Sequence, residues 1–262
     1  MTGAVLTVTE LSVRFGGLLA NNEISMLLPA QSISAIVGPN GAGKTTLFNA
    51  ITGAIRATSG RIDFGDVDIT NMSATARGRL GIARTFQNLS LVEDLSAVDN
   101  ITVGLGRFRR SGLLSAMLSL PRSLRTDRAT RACARNALGF VGLAEAADRP
   151  AGHLNYGDRR RVEIARAIAL APSLLLLDEP SAGMGPSETD ELAELFVAIK
   201  REFGCSILVV EHDMTMVRAV AEFTLVLDHG VVISSGATTA VLADPAVTAA
   251  YLGSNPSAAS SS

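Results

Sequence analysis

The run Gly38-Pro39-Asn40-Gly41-Ala42-Gly43-Lys44-Thr45 restricts the possible folds of this chain more than any other segment. It matches G-x-x-x-x-G-K-[ST] at every fixed position. An apolar strand pattern at 32–37 precedes it, and a helical pattern at 45–52, closed by Gly53, follows. Strand, glycine loop and helix in that order make a phosphate cradle. Gly41 and Gly43 lack the Cβ that would keep the backbone away from an anion. Successive N–H groups and the positive end of the helix can then face phosphate oxygens. Lys44 adds a full positive charge suited to the β- and γ-phosphates of a nucleotide, and the Thr45 hydroxyl is a hard oxygen ligand for Mg²⁺. Thr46 continues the helix start and is counted with residues 38–45 as a candidate nucleotide-binding residue. GTPases, kinases and ATPases all carry this motif, so other segments must discriminate between them.

Four leucines at 174–177 end in Asp178-Glu179-Pro180. A fully apolar run of this length reads as a buried strand of a parallel sheet. Such a strand delivers its last residues to the carboxyl edge, where ligands bind in open α/β folds. Asp178 is therefore a candidate for holding Mg²⁺, directly or through water. Glu179 projects elsewhere and is the candidate general base for a water in line with the γ-phosphate.

Around these two segments the pattern is mixed. Residues 5–9, 11–15 and 24–28 alternate as strands, a turn follows at Pro29-Ala30, and 61–64 is a short strand between Gly60 and Gly65. From 91 to 152 the alternation gives way to helical pattern rich in Ala, Leu and Arg, punctuated by Gly112, Pro121 and Pro150. A β/α pattern then returns, with an amphipathic helix at 188–203 and a buried strand at 207–210. A hairpin at 223–234 turns at His229-Gly230, and a helix at 239–252 is interrupted near Pro245. The expected fold is α/β: a P-loop core with a mixed or parallel sheet, an N-terminal antiparallel β subdomain and an inserted α-helical subdomain. As boundaries we expect one domain over 1–253, with the core at 1–90 and 153–253, helices at 91–152, and a disordered Ser/Ala-rich tail at 254–262.

Composition narrows the class further. With 262 residues and 47% apolar residues the chain can bury a full core, yet it has no run near the roughly 18–20 apolar residues of a membrane span. The start, MTGAVLTVTE, lacks a basic segment followed by an apolar one, so no signal peptide is expected. A formal charge of -2 argues against nucleic acid as the main partner. Cys133 and Cys205 are expected as reduced, buried thiols. The arginines at 107, 109 and 110 and at 159–161 are expected on solvated helix faces.

With the glycine loop and Asp178-Glu179-Pro180 in place, the chain resembles the nucleotide-binding domain of ABC transporters. Three further elements stand in that family's order. Gln87, in Thr85-Phe86-Gln87-Asn88, matches the Q-loop glutamine. Leu154-Asn155-Tyr156-Gly157-Asp158, followed by 159–167, resembles the signature motif and its helix. His212, in Glu211-His212-Asp213, stands where the switch histidine does. The resemblance runs from Val5 to about Gly253 and implies an ATPase using ATP and Mg²⁺. It assigns Phe15 to adenine stacking, Gln87 to the metal and the reacting water, and His212 to catalysis. It assigns Asn155, Gly157 and Asp158 to the γ-phosphate of a nucleotide held by a second cassette. Gly157 lies just before a helix, so N–H groups and the positive helix end can meet that phosphate. The implied assembly is a homo- or heterodimer of cassettes on the cytoplasmic face of the membrane, under permease subunits.

Several stretches are similar to the ATP-binding subunits of branched-chain amino-acid importers: residues 14–20, 84–87, 160–166 and Ala249-Ala250-Tyr251-Leu252-Gly253. That branch implies an extracytoplasmic solute-binding protein as a further partner. Segment 86–106, with Leu89, Leu91, Val92 and Leu95, would meet the permease. Alternatives are an ABC system for another small solute such as a urea- or amide-like one, an exporter, or a soluble ABC-type ATPase. A single cassette without a long coiled-coil insertion or basic tail disfavours the soluble type. A module that binds without turnover is disfavoured by the presence of both Glu179 and His212. Three positions depart from the family pattern: Asn155 replaces a common serine, Asp158 an expected glutamine, and Gly185 a usual Asp or Asn. Asp158 adds negative charge near a phosphate unless Mg²⁺ or the arginines at 159–161 screen it, so an asymmetric pair of ATP sites is expected.

Overall fold

The computed structural model describes residues 4–85, 91–106 and 121–253. It falls into two compact units, one of residues 4–84 and 173–253, the other of 85–172. The helical unit therefore reaches beyond the 91–152 expected from composition. The reason is that the helix at Tyr156–Ile168 packs on the helices of that unit. The tail at 254–262 and the arginines at 107, 109 and 110 lie outside the described residues.

In the first unit, β1 (Ala4–Phe15) pairs antiparallel with β2 (Leu18–Pro29) and with β4 (Ser59–Phe64), and β5 (Val67–Asp68) completes an antiparallel sheet in the order β2-β1-β4-β5. The two alternating runs at 5–9 and 11–15 form a single strand. Its register shifts between Val8 and Leu11, and Glu10 takes φ 47°. This bulge is tolerated because the Glu10 N–H donates to Ser25 Oγ at 3.0 Å. The matching Glu23 N–H (φ 50°) donates to Ser12 Oγ at 2.9 Å.

The second sheet runs β10-β9-β3-β8-β7-β6. It contains β3 (Ile33–Val37), β6 (Ile82–Arg84), β7 (Leu174–Asp178), β8 (Ser206–Val210), β9 (Phe223–Asp228) and β10 (Val231–Ala237). The pairs β3–β8, β3–β9, β7–β8 and β6–β7 are parallel, and only β9–β10 is antiparallel. Strands β3, β7 and β8 are buried at every residue, which is why their sequences read as unbroken apolar runs rather than alternation. The mixed sheet, the antiparallel sheet and the helical unit together make the expected fold class.

Helix α1 (Lys44–Thr52) follows β3 and ends on Gly53 in the left-handed region at φ 76°. Its Leu47, Phe48 and Ile51 bury completely in the core with Leu6, Leu28, Ile36, Leu176 and Leu208. Arg77, on the short helix α2 (Ala74–Arg79), holds the far end of α1. It is 1% exposed and donates to Ala50 O and Ile51 O at 2.6 Å each.

The second unit contains α3 (Ala97–Gly106), α4 (Pro121–Phe140) and α5 (Tyr156–Ile168), packed on one another. Helices α6 (Pro186–Phe203), α7 (Met214–Val220), α8 (Thr238–Val241) and α9 (Pro245–Gly253) belong to the first. In α6 the buried residues Leu192, Ala193, Phe196 and Ile199 keep the three-to-four spacing of one helix face. Helix α6 begins at Pro186, two residues before the expected start, because proline suits the first helical turn.

Two expectations are corrected. The 159–161 arginines are not a solvated face. Arg160 is 1% exposed and pairs with the buried Glu163 at 3.1 Å, while Arg159 turns back to Gly152 O at 2.7 Å and Leu154 O at 3.0 Å. Burial of aliphatic stems on α5 outweighs the solvation of heads that find partners. Cys205 is buried as expected, but Cys133 is only half-buried, its Sγ 3.6 Å from Ala169 O.

Candidate functional site

The parallel order β3-β8-β7 brings three loops of distant sequence to one sheet edge: residues 38–43 after β3, 179–185 after β7 and 211–213 after β8. Crossover connections return each strand in the same sense, so their carboxyl ends coincide. Glu179 N–H donates to Val210 O at 2.9 Å, which ties the end of β7 to the end of β8.

In the first loop the glycines are required by space as well as by conformation. Gly38 has φ 151°, and a Cβ there would lie 2.1 Å from Leu227 O. At Gly43 (φ 96°) a Cβ would lie 2.6 Å from Ala20 O and from Asn21 Nδ2. At Gly41 (φ 82°) nothing stands within 4 Å, so there the demand is conformational only. Gly43 is also the N-cap of α1, which has no side-chain cap and no acidic residue in its first turn. The first-turn N–H groups are thus left to an external acceptor, which is the condition for anion binding. The loop is supported from behind: Gly230 N–H donates to Ala42 O at 3.1 Å and Asn21 Nδ2 donates to Gly43 O at 3.2 Å.

Lys44 is 6% exposed, and its Nζ donates to Gly38 O at 2.7 Å and Pro39 O at 2.9 Å. Burial holds its ammonium below the ordinary lysine value, while the carboxylates of Glu179 and Asp178 pull in the opposite direction. A buried cation facing two carboxylates is the arrangement into which a nucleotide phosphate and a divalent cation fit together. Asp178 is 2% exposed at the end of β7 and also acts on Arg84, whose guanidinium is lowered by burial and raised by that carboxylate. Arg84 donates to Thr52 Oγ1 at 2.9 Å and lies over the Phe48 ring, so it belongs to the support of α1. Thr45 and Asn40 are exposed, while Pro39 and Thr46 are half-buried and Ala42 is buried.

Glu179 has φ 44°, a left-handed conformation that is uncommon for a glutamate. His212 is exposed at the end of β8, 3.9 Å through Nδ1 from Glu211 Oε2. Phe15, at the tip of the β1–β2 hairpin, is 51% exposed, a large apolar ring left in solvent. Gln87 and Leu89 lie outside the described residues.

Asn155, Gly157 and Asp158 belong to the helical unit. Asn155 is the N-cap of α5: its Oδ1 accepts the Asp158 N–H at 2.7 Å. The substitution for serine thus keeps the cap, as two good N-cap residues exchange. Asp158 sits in the first turn of α5, where its charge favours the helix. With Arg159 and Arg160 engaged elsewhere, neither is left as the expected screen for that charge. Gly185 is the N-cap of α6. Its N–H donates to Glu188 Oε2 at 2.9 Å, and its carbonyl accepts from Thr189.

Sequence reasoning missed the supports of this site. Asn21 and Gly230 carry no phosphate motif. The Tyr251 hydroxyl lies against the Gly38 backbone, and burial pushes its pKa up to about 12. Gly230 left a trace as the turn of the predicted hairpin, and Tyr251 as part of the stretch 249–253, without a role at the site.

Fold and site together define a P-loop nucleotide-binding cassette. The sequence profile of the ABC transporter family matches residues 21–182. The branched-chain amino acid transport ATP-binding protein BraF of Pseudomonas aeruginosa is 37% identical over 253 residues, covering 97% of this chain and 99% of the relative. The corresponding LivG protein of Escherichia coli K12 is 38% identical over the same coverage. Among solved structures, the ADP conformation of an ATP-binding cassette of an ABC transporter superposes with a TM-score of 0.83 at 29% identity, covering 97% of this chain and 99% of that one. The chain belongs to the ABC transporter family and is one of its ATP-binding, ATPase subunits.

Proposed function

We propose that this subunit hydrolyses ATP to drive an importer of branched-chain or other hydrophobic amino acids. The reading is supported by the two named relatives, each matched over nearly its whole length. The observation that carries the chemistry is the buried Lys44 ammonium, held in the glycine loop and drawn by the carboxylates of Asp178 and Glu179.

In this reading the N–H groups of 41–45 and the Lys44 ammonium bind the β- and γ-phosphates, and Phe15 stacks on adenine. The Asp178 carboxylate and the Thr45 hydroxyl, both hard oxygen donors, hold Mg²⁺, with Gln87 as a further ligand. When bound, the ion neutralises charge developing on the transferred phosphoryl group. Glu179 orients the attacking water and accepts its proton, and His212 stabilises the γ-phosphate. Asn155, Gly157 and Asp158 serve the nucleotide of a second cassette, so each chain carries half of each of two sites. That second cassette is the same chain or a related one. The dimer sits under permease subunits on the cytoplasmic face of the membrane, with exposed Val92 and half-buried Leu91 and Leu95 among the contacts. An extracytoplasmic binding protein supplies the solute.

The test is Glu179→Gln in the assembled transporter. Mg·ATP binding is expected to persist while hydrolysis falls by at least about 100-fold. Reconstituted vesicles should take up leucine only with ATP inside and wild-type Glu179. Undiminished hydrolysis in the variant removes Glu179 from its role, and ATP-independent or absent leucine uptake removes the solute assignment.

A further inference from the structure

Glu211 is completely buried at the end of β8. A buried carboxylate is tolerated only where donors satisfy both of its oxygens. Here they come from two different loops. Oε1 accepts the Ser181 N–H at 3.0 Å and the Ser181 hydroxyl at 2.7 Å. Oε2 accepts the His212 N–H at 3.1 Å and lies 3.9 Å from His212 Nδ1, with the Asp213 N–H at the limit of contact, 3.5 Å. The Glu211 backbone is fixed in turn, its N–H donating to Ile36 O at 3.2 Å, one residue before the end of β3. Ser181 stands two residues after Glu179.

We propose that Glu211 is a positioning residue for ATP hydrolysis. Its single carboxylate locks the loop that carries Glu179 and the loop that carries His212 into one arrangement. The inference rests on the hydrolytic roles given above to Glu179 and His212. Glu211 itself reaches the nucleotide only through them. Because the glycine loop is held by other contacts, from Asn21 and Gly230, loss of this lock acts on turnover and leaves nucleotide binding in place.

A carboxamide separates this role from simple packing. Gln at 211 has the same shape, but only one end of it accepts. Whichever way it turns, its NH₂ group faces a backbone N–H that it cannot accept, that of Ser181 or that of His212, so one of the two loops loses its main-chain tie even where the Ser181 hydroxyl reverses to accept. In the assembled transporter, Glu211→Gln is expected to lower kcat for Mg·ATP about tenfold or more, with KM changed by less than about twofold. Combined with His212→Ala, the further loss it causes should be smaller than its loss in the wild type, because the part of its effect that runs through His212 is already gone while the part that runs through the Glu179 loop remains. Ser181→Ala, which removes one donor, should show a smaller loss of kcat that also fails to multiply with His212→Ala. An unchanged kcat in Glu211→Gln, a parallel rise in KM, or losses that multiply in the double variants overturns the proposal. Should Glu211→Gln fail to fold, the Ser181–His212 pair decides by the same criterion. If the wild-type transporter does not hydrolyse ATP at all, the hydrolytic reading falls, and this inference with it.

Discussion

Arg77 allows the tightest calculation. Its guanidinium is 1% exposed and donates to four carbonyls: Ala50 and Ile51 at 2.6 Å, Thr70 at 3.0 Å and Met72 at 3.1 Å. Two of these are last-turn carbonyls of α1: Ala50 O also accepts the Gly53 N–H at 3.2 Å, while Ile51 O lies beyond the reach of the helix's own N–H groups. Burial lowers the guanidinium pKa from its ordinary value, and no carboxylate contributes to the shift. Charge-assisted hydrogen bonds contribute about 1.5–3 kcal/mol each, so four would give roughly 6–12 kcal/mol before the opposing desolvation of the cation. Arg77→Met leaves neutral buried carbonyls without their donor, at about 1–3 kcal/mol each, offset in part by the recovered desolvation of the cation, and we take about 3–5 kcal/mol as the expected net loss. Methionine keeps most of the apolar stem, so packing changes little. The assay is urea unfolding of the purified chain followed by circular dichroism, with the denaturant slope held equal between variants. The corresponding fall in Tm is roughly 10 °C. A loss below about 1 kcal/mol would refute the reasoning, since it would mean that the carbonyls are equally well served by water.

Two other predictions concern the cradle. Gly38→Ala places a methyl 2.1 Å from Leu227 O at φ 151°. A destabilisation of about 2–4 kcal/mol is expected, with loss of fluorescent-ATP binding at temperatures where the chain remains folded. Lys44 has a folded pKa below its ordinary 10.5. The unfolded chain therefore binds more protons across that window. The nucleotide-free protein gains stability as pH rises through the window, and carries the full penalty below it. ATP affinity should move the other way, weakening over the same window as the amine loses its charge. A titration of Kd against pH checks this, and a profile as flat as that of Lys44→Met would refute it.

Much of this protein is legible in its sequence because the relevant signals are local. The spacing of Gly38, Gly43, Lys44 and Thr45 specifies a strand–loop–helix cradle wherever the chain goes. The leucines at 174–177 announce a strand buried on both faces that ends in Asp178 and Glu179. Gly53 and Gly204 mark the C-caps of α1 and α6 because only glycine enters the left-handed region without strain.

Tertiary structure decided what depends on contacts between distant residues. The alternation at 5–15 looks broken at Glu10, yet Ser25 and Ser12 across the sheet accept the bulged N–H groups and keep the strands continuous. Arg77 and Arg160 have the composition of surface and become core, since carbonyls 26 and 27 residues away or a neighbouring glutamate satisfy them. Glu211 reads as one residue of a tripeptide until Ser181, 30 residues earlier, arrives at its other oxygen. Periodicity and motif spacing are properties of a short stretch of chain. The burial of a charge depends on which partners the rest of the fold brings to it.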